Sequence, residues 1–465
     1  MGCLIYGHSM HRVRISPPSL TMKHIQRIFW GFLFALTALW WITDGTDPAL
    51  LINTFAWRNL LLQYSGVLSI GVMSVSMVLA VRPVMLESRL GGLDKMYRLH
   101  KWLGISALVT SFSHWLIAQG PKWMVGWGWL ERPARGPRPP LPEELVHRLL
   151  ASQHGLAESV GEWAFYLAAA LMVIALIKTF PYKAFLKTHT VLAATYLPLV
   201  FHAVVLLKWD YWLSPLGLPM AVLMSAGTLS AALVLLGRVA KNRKVSGTVV
   251  GVHHHALLKT MSIDIQLQDP WSGHKAGQFA FVTLHADEGA HPYTISSAWL
   301  NDGRITFIIK ALGDYTGTLP QRVLVGETVR IEGPYGRFTF EGSKKRQIWI
   351  GGGIGITPFV ARMKALAHMP DERTVDLFHT TAAYDPHAIG LMTQDAQDAG
   401  VRLHVLWDRR DGRLDATHIV DRVPDWKNAD VWFCGPAKFG QSLRQTLVAM
   451  GLDSKSFHQE LFEMR

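Results

Sequence analysis

The sequence contains very little cysteine. Only Cys3 and Cys434 occur among its 465 residues, which excludes a disulfide framework and a metal site built from cysteine thiolates. The chain also lacks an EF-hand loop, which would bind calcium, and a proline-rich docking tail. We therefore expect any activity of this protein to be constitutive. No uniform basic stripe with interleaved aromatic residues runs through the second half. The formal net charge of +12 therefore does not indicate a nucleic-acid partner.

Apolar residues, by contrast, are concentrated between residues 25 and 240. Six segments in this region approach the roughly 20 residues that a helix needs to cross the hydrocarbon core of a bilayer. They predict an all-α six-helix transmembrane bundle over residues 26–240. The six segments are residues 26–43, 60–81, 100–119, 160–180, 189–207 and 216–238.

Basic residues follow the second, fourth and sixth of these segments. If the helices alternate in direction, all three basic stretches lie on the same side of the membrane. The positive-inside bias places that side in the cytoplasm, most simply at a bacterial inner membrane. Both termini are then cytoplasmic, including an N-terminal segment, residues 1–25, in which Met22 is an alternative start of translation. The basic residues are Arg82, Arg89, Lys95, Arg98, Lys101, Lys178, Lys183, Lys187, Arg238, Lys241, Arg243 and Lys244.

Four histidines lie inside or at the ends of two predicted membrane helices that run in the same direction. His100 and His114 are in the third segment, and His189 and His202 are in the fifth. A spacing of 14 residues is about four turns, roughly 21 Å, and returns to nearly the same helix face. A spacing of 13 does not, but a kink at Pro198 would compensate for the difference.

Ionisable groups inside a membrane segment are costly, and they are therefore functional candidates. Two imidazoles at each of two depths predict two stacked haems, each with one axial histidine from each helix. His100 and His189 would serve the cytoplasmic haem, and His114 and His202 the outer one. The alternative is that these residues are packing or interfacial histidines.

The second half has the pattern of a soluble protein. Short alternating runs predict an antiparallel β-barrel over residues 244–342. This region contains His291-Pro292-Tyr293-Thr294-Ile295-Ser296-Ser297 and Gly313-Asp314-Tyr315-Thr316-Gly317. Such an aromatic and hydroxyl cluster can stack on an isoalloxazine ring, and a Gly-Thr turn can offer backbone N–H groups to a pyrophosphate. The strands are predicted at Gly247–Val252, Met261–Leu267, Gln278–Leu284 and Ile305–Lys310.

Residues 346–465 are predicted to form an α/β Rossmann-like domain. A short apolar strand, Gln347–Ile350, leads into Gly351-Gly352-Gly353-Ile354-Gly355-Ile356-Thr357-Pro358-Phe359 and then a helix. Glycines at this position let a phosphate approach the backbone, and the helix N-terminus favours its charge. Cys434-Gly435-Pro436 ends a later strand, where open α/β sheets bind ligands, although a buried structural cysteine is the alternative. Further strands are predicted at Thr374–His379, Arg402–Trp407 and Val431–Phe433.

Together these motifs resemble the ferric reductase and NADPH oxidase family in its bacterial form, over roughly residues 25–465. The resemblance implies FAD, two b-type haems on the four histidines, and NADPH or NADH. It gives Cys434, Phe462 and Thr294 catalytic roles, with Phe462 placed against the flavin and Phe457 a weaker alternative. The cofactor-binding residues that it implies are His291, Pro292, Tyr293, Thr294, Ser297, Gly313, Thr316, Gly317, Gly351, Gly352, Gly353, Gly355, Thr357, Pro358, Cys434, Gly435, Pro436 and Phe462.

The function that this resemblance implies is electron transfer from cytoplasmic NAD(P)H, through FAD and the haems, to an acceptor across the bilayer. O2, giving superoxide, is the expected acceptor; a ferric or other metal chelate and a periplasmic protein are the alternatives. Members that prefer NADPH usually carry an arginine shortly after the second strand of the nucleotide domain. Residues 379–385 contain none, which predicts weak discrimination or a preference for NADH.

Overall fold

The structure, a computed structural model, describes residues 22–44, 54–131, 142–177 and 179–460. Helices occupy the first half of these ranges, and two sheets with flanking helices occupy the second. The helices of the first half are α1 (Met22–Asp44), α2 (Thr54–Ala80), α3 (Val84–Leu90), α4 (Leu93–Gly126), α5 (Leu145–Ser152), α6 (His154–Leu176), α7 (Tyr182–Leu206), α8 (Trp209–Trp212) and α9 (Gly217–Leu235).

Five of these helices are long and apolar enough to cross a membrane, namely α1, α2, α6, α7 and α9. The third predicted span corresponds to α4, which has 34 residues but starts with charged and polar turns around Asp94, Lys95 and Arg98. It begins seven residues before the predicted segment, after Gly91 and Gly92 turn the chain with positive φ angles. The expected count of six spans therefore depends on α4 and stays a prediction.

Small and polar residues join the helices at the centre of the bundle. A Cβ atom added at Gly227 of α9 would lie 2.2 Å from the hydroxyl oxygen of Tyr196 in α7. The same hydroxyl group lies 2.7 Å from the hydroxyl oxygen of Ser74 in α2. Close approach at small residues, together with hydrogen bonds between helices, is a common way of packing helices in a membrane. Helix α7, which carries two of the four histidines, is joined to α2 and α9 by this packing.

The first sheet has six antiparallel strands in the order β4-β3-β6-β1-β2-β5. A bridge between Ile295 and Phe307 joins its two ends, so the sheet curls towards a barrel. Helix α10 (Asp314–Arg322) buries Leu319 in the apolar core of this sheet. The predicted strands are all present. The strands are β1 (Lys244–His255), β2 (Thr260–Leu267), β3 (Phe279–Thr283), β4 (His291–Thr294), β5 (Arg304–Lys310) and β6 (Thr328–Tyr335).

The second sheet has five parallel strands in the order β11-β10-β7-β8-β9. Apolar clusters cover both faces, as a parallel sheet requires, with α11 and α12 on one side and α14 and α15 on the other. Strand β11 was not predicted. The elements are β7 (Arg346–Gly352), α11 (Thr357–His368), β8 (Thr374–Thr381), α12 (Pro386–Asp398), β9 (Arg402–Trp407), α13 (Asp408–Asp411), α14 (Ala416–Arg422), β10 (Asp430–Cys434), α15 (Ala437–Ala449) and β11 (Phe457–Gln459).

Candidate functional site

The four membrane histidines form two pairs between α4 and α7. The ring centroids of His100 and His189 are 5.8 Å apart, and those of His114 and His202 are 6.2 Å apart. Helix α7 continues through Pro198, which lies between its two histidines. The structure therefore makes the same pairs as the sequence analysis, despite the spacing of 13 residues on α7.

Hydrogen bonds fix the tautomer of three of these rings. A backbone carbonyl can only accept, so each neutral ring bonded to one carries its proton on Nδ1 and keeps a lone pair on Nε2. Donation of Nδ1–H to a carbonyl is also the usual arrangement of a metal-bound histidine. The bonds join His100 to the Ser76 carbonyl at 3.0 Å, His114 to the Leu62 carbonyl at 3.1 Å and His202 to the Ala157 carbonyl at 2.8 Å.

Glycines make room for the outer pair. A Cβ atom at Gly161 of α6 would lie 1.9 Å from Nδ1 of His202, so no larger residue fits beside this ring. A Cβ atom at Gly66 of α2 would lie 3.3 Å from Cε1 of His114. Sequence analysis missed both glycines, although small residues inside apolar helices are a signal of close packing.

His189 differs from the other three histidines. Its Nδ1 atom is buried and has no hydrogen-bond partner within the described ranges. The ring of Phe185, one turn earlier on α7, instead packs against it with centroids 4.9 Å apart and planes 25° apart. Four imidazoles in two facing pairs, three with a free Nε2 lone pair fixed by hydrogen bonding, fit two bis-histidine haems.

The predicted flavin motif occupies β4 and the turn after it. The ring of His291 packs against Tyr315 at 4.5 Å and against Tyr182, the first residue of α7, at 4.7 Å. The Tyr293 hydroxyl group is buried without a hydrogen-bond partner in the described part of the chain. Burial raises the pKa of Tyr293, so its hydroxyl group stays protonated and can donate to a bound group. The flavin motif thus contacts the membrane helix that carries His189 and His202.

The predicted pyrophosphate turn lies at the start of α10. The Thr316 hydroxyl oxygen accepts from the backbone N–H groups of Leu312 and Gly313, at 2.9 and 3.0 Å. A Cβ atom at Gly313 or Gly317 would meet nothing within 4 Å. The turn is therefore open beside a helix N-terminus, which suits an anion. Direct contact of Thr316 with a pyrophosphate stays a prediction.

The two predicted nucleotide motifs lie against each other at the carboxyl edge of the parallel sheet. Cys434 pairs in register with Gly351 on the neighbouring strand. A Cβ atom at Gly355 would lie 2.2 Å from the Cys434 carbonyl oxygen, and one at Gly352 would lie 3.2 Å from Pro436. Because the two turns touch through backbone atoms, the glycine turn and the Cys-Gly-Pro turn form one surface. Thr357 and Pro358 are buried at the start of α11, beside this surface.

The predicted catalytic residues lie in different environments. Cys434 is fully buried among aromatic side chains, and this burial raises the pKa of its thiol. The structure therefore favours a structural packing role for Cys434 over a reactive thiol. Thr294 is buried at the end of β4, and the neighbouring Ser297 hydroxyl accepts from the backbone N–H of Thr306 at 3.1 Å. Phe462 lies outside the described residues. Phe457, its alternative, is in β11 and packs in the sheet core.

Sequence analysis missed the charged contacts that join the membrane half to the flavin half. Arg82, in the loop after α2, lies 2.6 Å from the carboxylate of Glu332 in β6. In a second ion pair the carboxylate belongs to the membrane half instead: Arg243, immediately before β1, lies 3.0 Å from the carboxylate of Glu87 in α3. The sequence pattern indicates only a positive-inside role for these two arginines. The structure shows that they also hold the flavin-domain sheet against one end of the helical half.

Two family models match these two halves. The ferric reductase like transmembrane component matches residues 65–200, and an FAD-binding domain matches residues 253–339. The chain joins a ferric reductase-like membrane domain to an FAD-binding domain. The ferric reductase-like region includes three of the four paired histidines, His100, His114 and His189. The FAD-binding region includes the motifs that begin at His291 and Gly313.

Two relatives each match less than half of this chain. The flavohemoprotein of Bordetella pertussis is 28% identical over 212 residues, covering 40% of this chain and 52% of that protein. An NADPH oxidoreductase of Mycobacterium tuberculosis is 28% identical over 207 residues, covering 42% of this chain and 54% of that protein. The chain thus spans about half the length of these relatives.

Similar solved structures include a cytochrome P450 reductase and a flavohemoglobin. The Amycolatopsis cytochrome P450 reductase has 24% identity and a TM-score of 0.41, over 47% of this chain and 70% of its own. The flavohemoglobin of Malassezia yamatoensis has 18% identity and a TM-score of 0.46, over 88% of this chain and 97% of its own. The assignment of the ferric reductase-like and FAD-binding domains depends on the family models and on the geometry described above.

Proposed function

We propose that this chain is a transmembrane oxidoreductase that carries electrons from cytoplasmic NAD(P)H to O2 on the opposite side of the bilayer, with superoxide as the product. The observation that carries the proposal is the pairing of His100 with His189 and of His114 with His202 at two depths between α4 and α7. The flavin motif contacts the helix end nearest the first pair, through Tyr182 and His291.

The proposed topology has six spans, with α4 as the third and both termini in the cytoplasm of a bacterium. The flavin-domain sheet is held to the helix ends by Arg82 and Arg243, so these ends face the cytoplasm if the nucleotide is cytoplasmic. The His100/His189 pair then lies on the inner side, and the His114/His202 pair lies on the outer side. The positive-inside distribution of basic residues supports the same orientation.

Bound FAD would take a hydride from the nicotinamide and release its electrons singly, and haem irons would each carry one electron at a time. The four histidines would hold those irons, and the backbone carbonyls that accept from Nδ1 would set the ring orientation. The Tyr182, His291 and Tyr315 rings would hold the flavin motif near the inner pair. Each NAD(P)H gives two electrons and leaves one proton in the cytoplasm, and two O2 molecules each accept one electron.

The test is an absorbance spectrum of the detergent-purified full chain before and after NADH or NADPH, with and without air. We expect a b-type haem signal that the nicotinamide reduces and air reoxidises, with dye reduction that superoxide dismutase suppresses. Reduced haem that reacts slowly with air but quickly with ferric chelates would make a metal chelate the acceptor instead. Absence of haem would overturn the proposal.

A further inference from the structure

A continuous series of packed aromatic rings connects the flavin motif to the inner histidine pair. Tyr315 and His291 stack with ring centroids 4.5 Å apart, and His291 lies 4.7 Å from Tyr182. Tyr182 lies 6.3 Å from Phe185, with planes 26° apart, and Phe185 lies 4.9 Å from His189, with planes 25° apart. The three residues of α7 in this series connect the FAD-binding sheet to the proposed inner iron site.

The spacing on α7 explains this series. Tyr182, Phe185 and His189 are separated by three and four residues, so their side chains lie on one face of the helix. The Tyr182 hydroxyl donates to the Ala290 carbonyl at 3.1 Å, immediately before His291. This bond fixes the first turn of α7 on the flavin-domain sheet, and the stacked rings carry that position on to His189.

Phe185 also takes the place of a missing hydrogen bond. The other three paired histidines donate from Nδ1 to backbone carbonyls, whereas Nδ1 of His189 has no partner among the residues that the structure describes. A ligand ring without that bond can rotate unless something packs against its face. Phe185 packs against His189 at 25°, nearly face to face, and therefore sets the plane of this imidazole.

We propose that Tyr182 and Phe185 are positioning residues that form the packed path for electrons between the flavin motif and the inner histidine pair. This inference rests on the proposed function. With the cofactors bound, each electron that leaves the flavin side would reduce one ferric haem iron held by His100 and His189. The two rings are neither oxidised nor reduced, and no proton is transferred at Tyr182, because its hydroxyl group stays bonded to the Ala290 carbonyl.

The experiment uses the full-length holoprotein with Tyr182→Leu, Phe185→Leu and Tyr182→Phe, which keeps the ring and removes only the hydroxyl bond to the Ala290 carbonyl. Anaerobic stopped-flow mixing with NADH or NADPH follows flavin reduction and haem reduction separately. We expect haem reduction to slow about tenfold relative to flavin reduction in both leucine variants, and by less in Tyr182→Phe, which loses only the hydroxyl bond. Phe34→Leu, at a lipid-facing aromatic position on α1 that is 75% exposed, is the control and should transfer electrons normally.

A second measurement does not depend on turnover. The electron paramagnetic resonance spectrum of the oxidised protein reports the relative orientation of the two axial imidazoles. We expect Phe185→Leu to shift the g values of one haem, with the haem content unchanged, because His189 loses the ring that fixes its plane. If Phe185→Leu loses haem, Tyr182→Leu still decides the matter, because Tyr182 lies seven residues before the proposed ligand His189 on α7.

Wild-type rates in both leucine variants, together with an unchanged resonance spectrum, would overturn the path. This outcome differs from failure of the proposed function. The latter would appear in the unsubstituted protein itself, as absence of haem or as haem that neither nicotinamide can reduce.

Discussion

Arg82 and Glu332 form a short ion pair between the membrane half and the flavin half, with nitrogen and oxygen 2.6 Å apart and side chains 17% and 7% exposed. The Arg82 guanidinium also lies 4.8 Å from the centre of the Phe281 ring. A buried charge costs much more than an exposed one when its partner is removed. The pair therefore makes docking of the two halves sensitive to a single substitution.

Glu332→Gln should destabilise the docked arrangement by about 3 kcal/mol, because it leaves the Arg82 charge buried without compensation. Thermal unfolding of the full chain, together with the haem reduction rate, would measure this loss. The matched control is Glu372→Gln, which removes an ion pair with Lys345 whose side chains are 88% and 84% exposed. That control should change stability by less than about 1 kcal/mol. Equal effects of the two substitutions would show that the buried pair does not hold the halves together.

Gly161→Ala should remove haem from the outer site, because the new Cβ atom would lie 1.9 Å from Nδ1 of His202. The haem content and spectrum of the purified variant check this, and the result should match that of His202→Leu. Gly155→Ala on the same helix is the control, since a Cβ atom there meets nothing within 4 Å. Full haem content in Gly161→Ala would contradict the proposed role of His202.

Asp408→Asn should raise kcat/KM for NADPH relative to NADH by roughly fivefold, equivalent to about 1 kcal/mol. The Asp408 carboxylate accepts from the Thr380 hydroxyl at 3.1 Å, at the end of the second strand of the nucleotide domain. A carboxylate there would repel a 2′-phosphate, whereas it can accept from a ribose hydroxyl. Steady-state kinetics with both nucleotides measure the ratio. Asp421→Asn, at an exposed position on α14, should leave it unchanged.

The nucleotide domain should lose stability as the pH falls below about 6.5. Burial lowers the pKa of His379 from its ordinary value to about 4, although its bond to the Gly351 carbonyl opposes the shift. Between these two pKa values the unfolded chain binds a proton that the folded chain does not. Stability from this group is therefore fully present above pH 6.5 and falls by up to about 1.4 kcal/mol per pH unit towards pH 4.

The pH dependence is measured as the melting temperature of the full chain between pH 4 and 8. His379→Asn, whose amide group can still donate to the Gly351 carbonyl, should flatten the profile over this window. An unchanged slope in that variant would assign the acid sensitivity to another group.

Local patterns allowed much of the architecture to be predicted. The alternation of β1, β2 and β5, the apolar lengths of α2 and α7, and the glycine turn after β7 all follow from neighbouring residues. Helix bounds were less accurate. The charged first turns of α4 extend the helix past its apolar segment, and glycines rather than hydropathy set its start.

The sequence by itself determined which side chains are available: four histidines on two parallel helices, an aromatic and hydroxyl motif, and two glycine-containing turns. Tertiary packing alone decided how they meet. The clearance that Gly161 gives His202, the packing of His291 against Tyr182, and the pairing of Arg82 with Glu332 each join residues from different helices, strands or loops. Such contacts depend on where whole elements pack, and a periodicity along one segment carries no information about the distance to another.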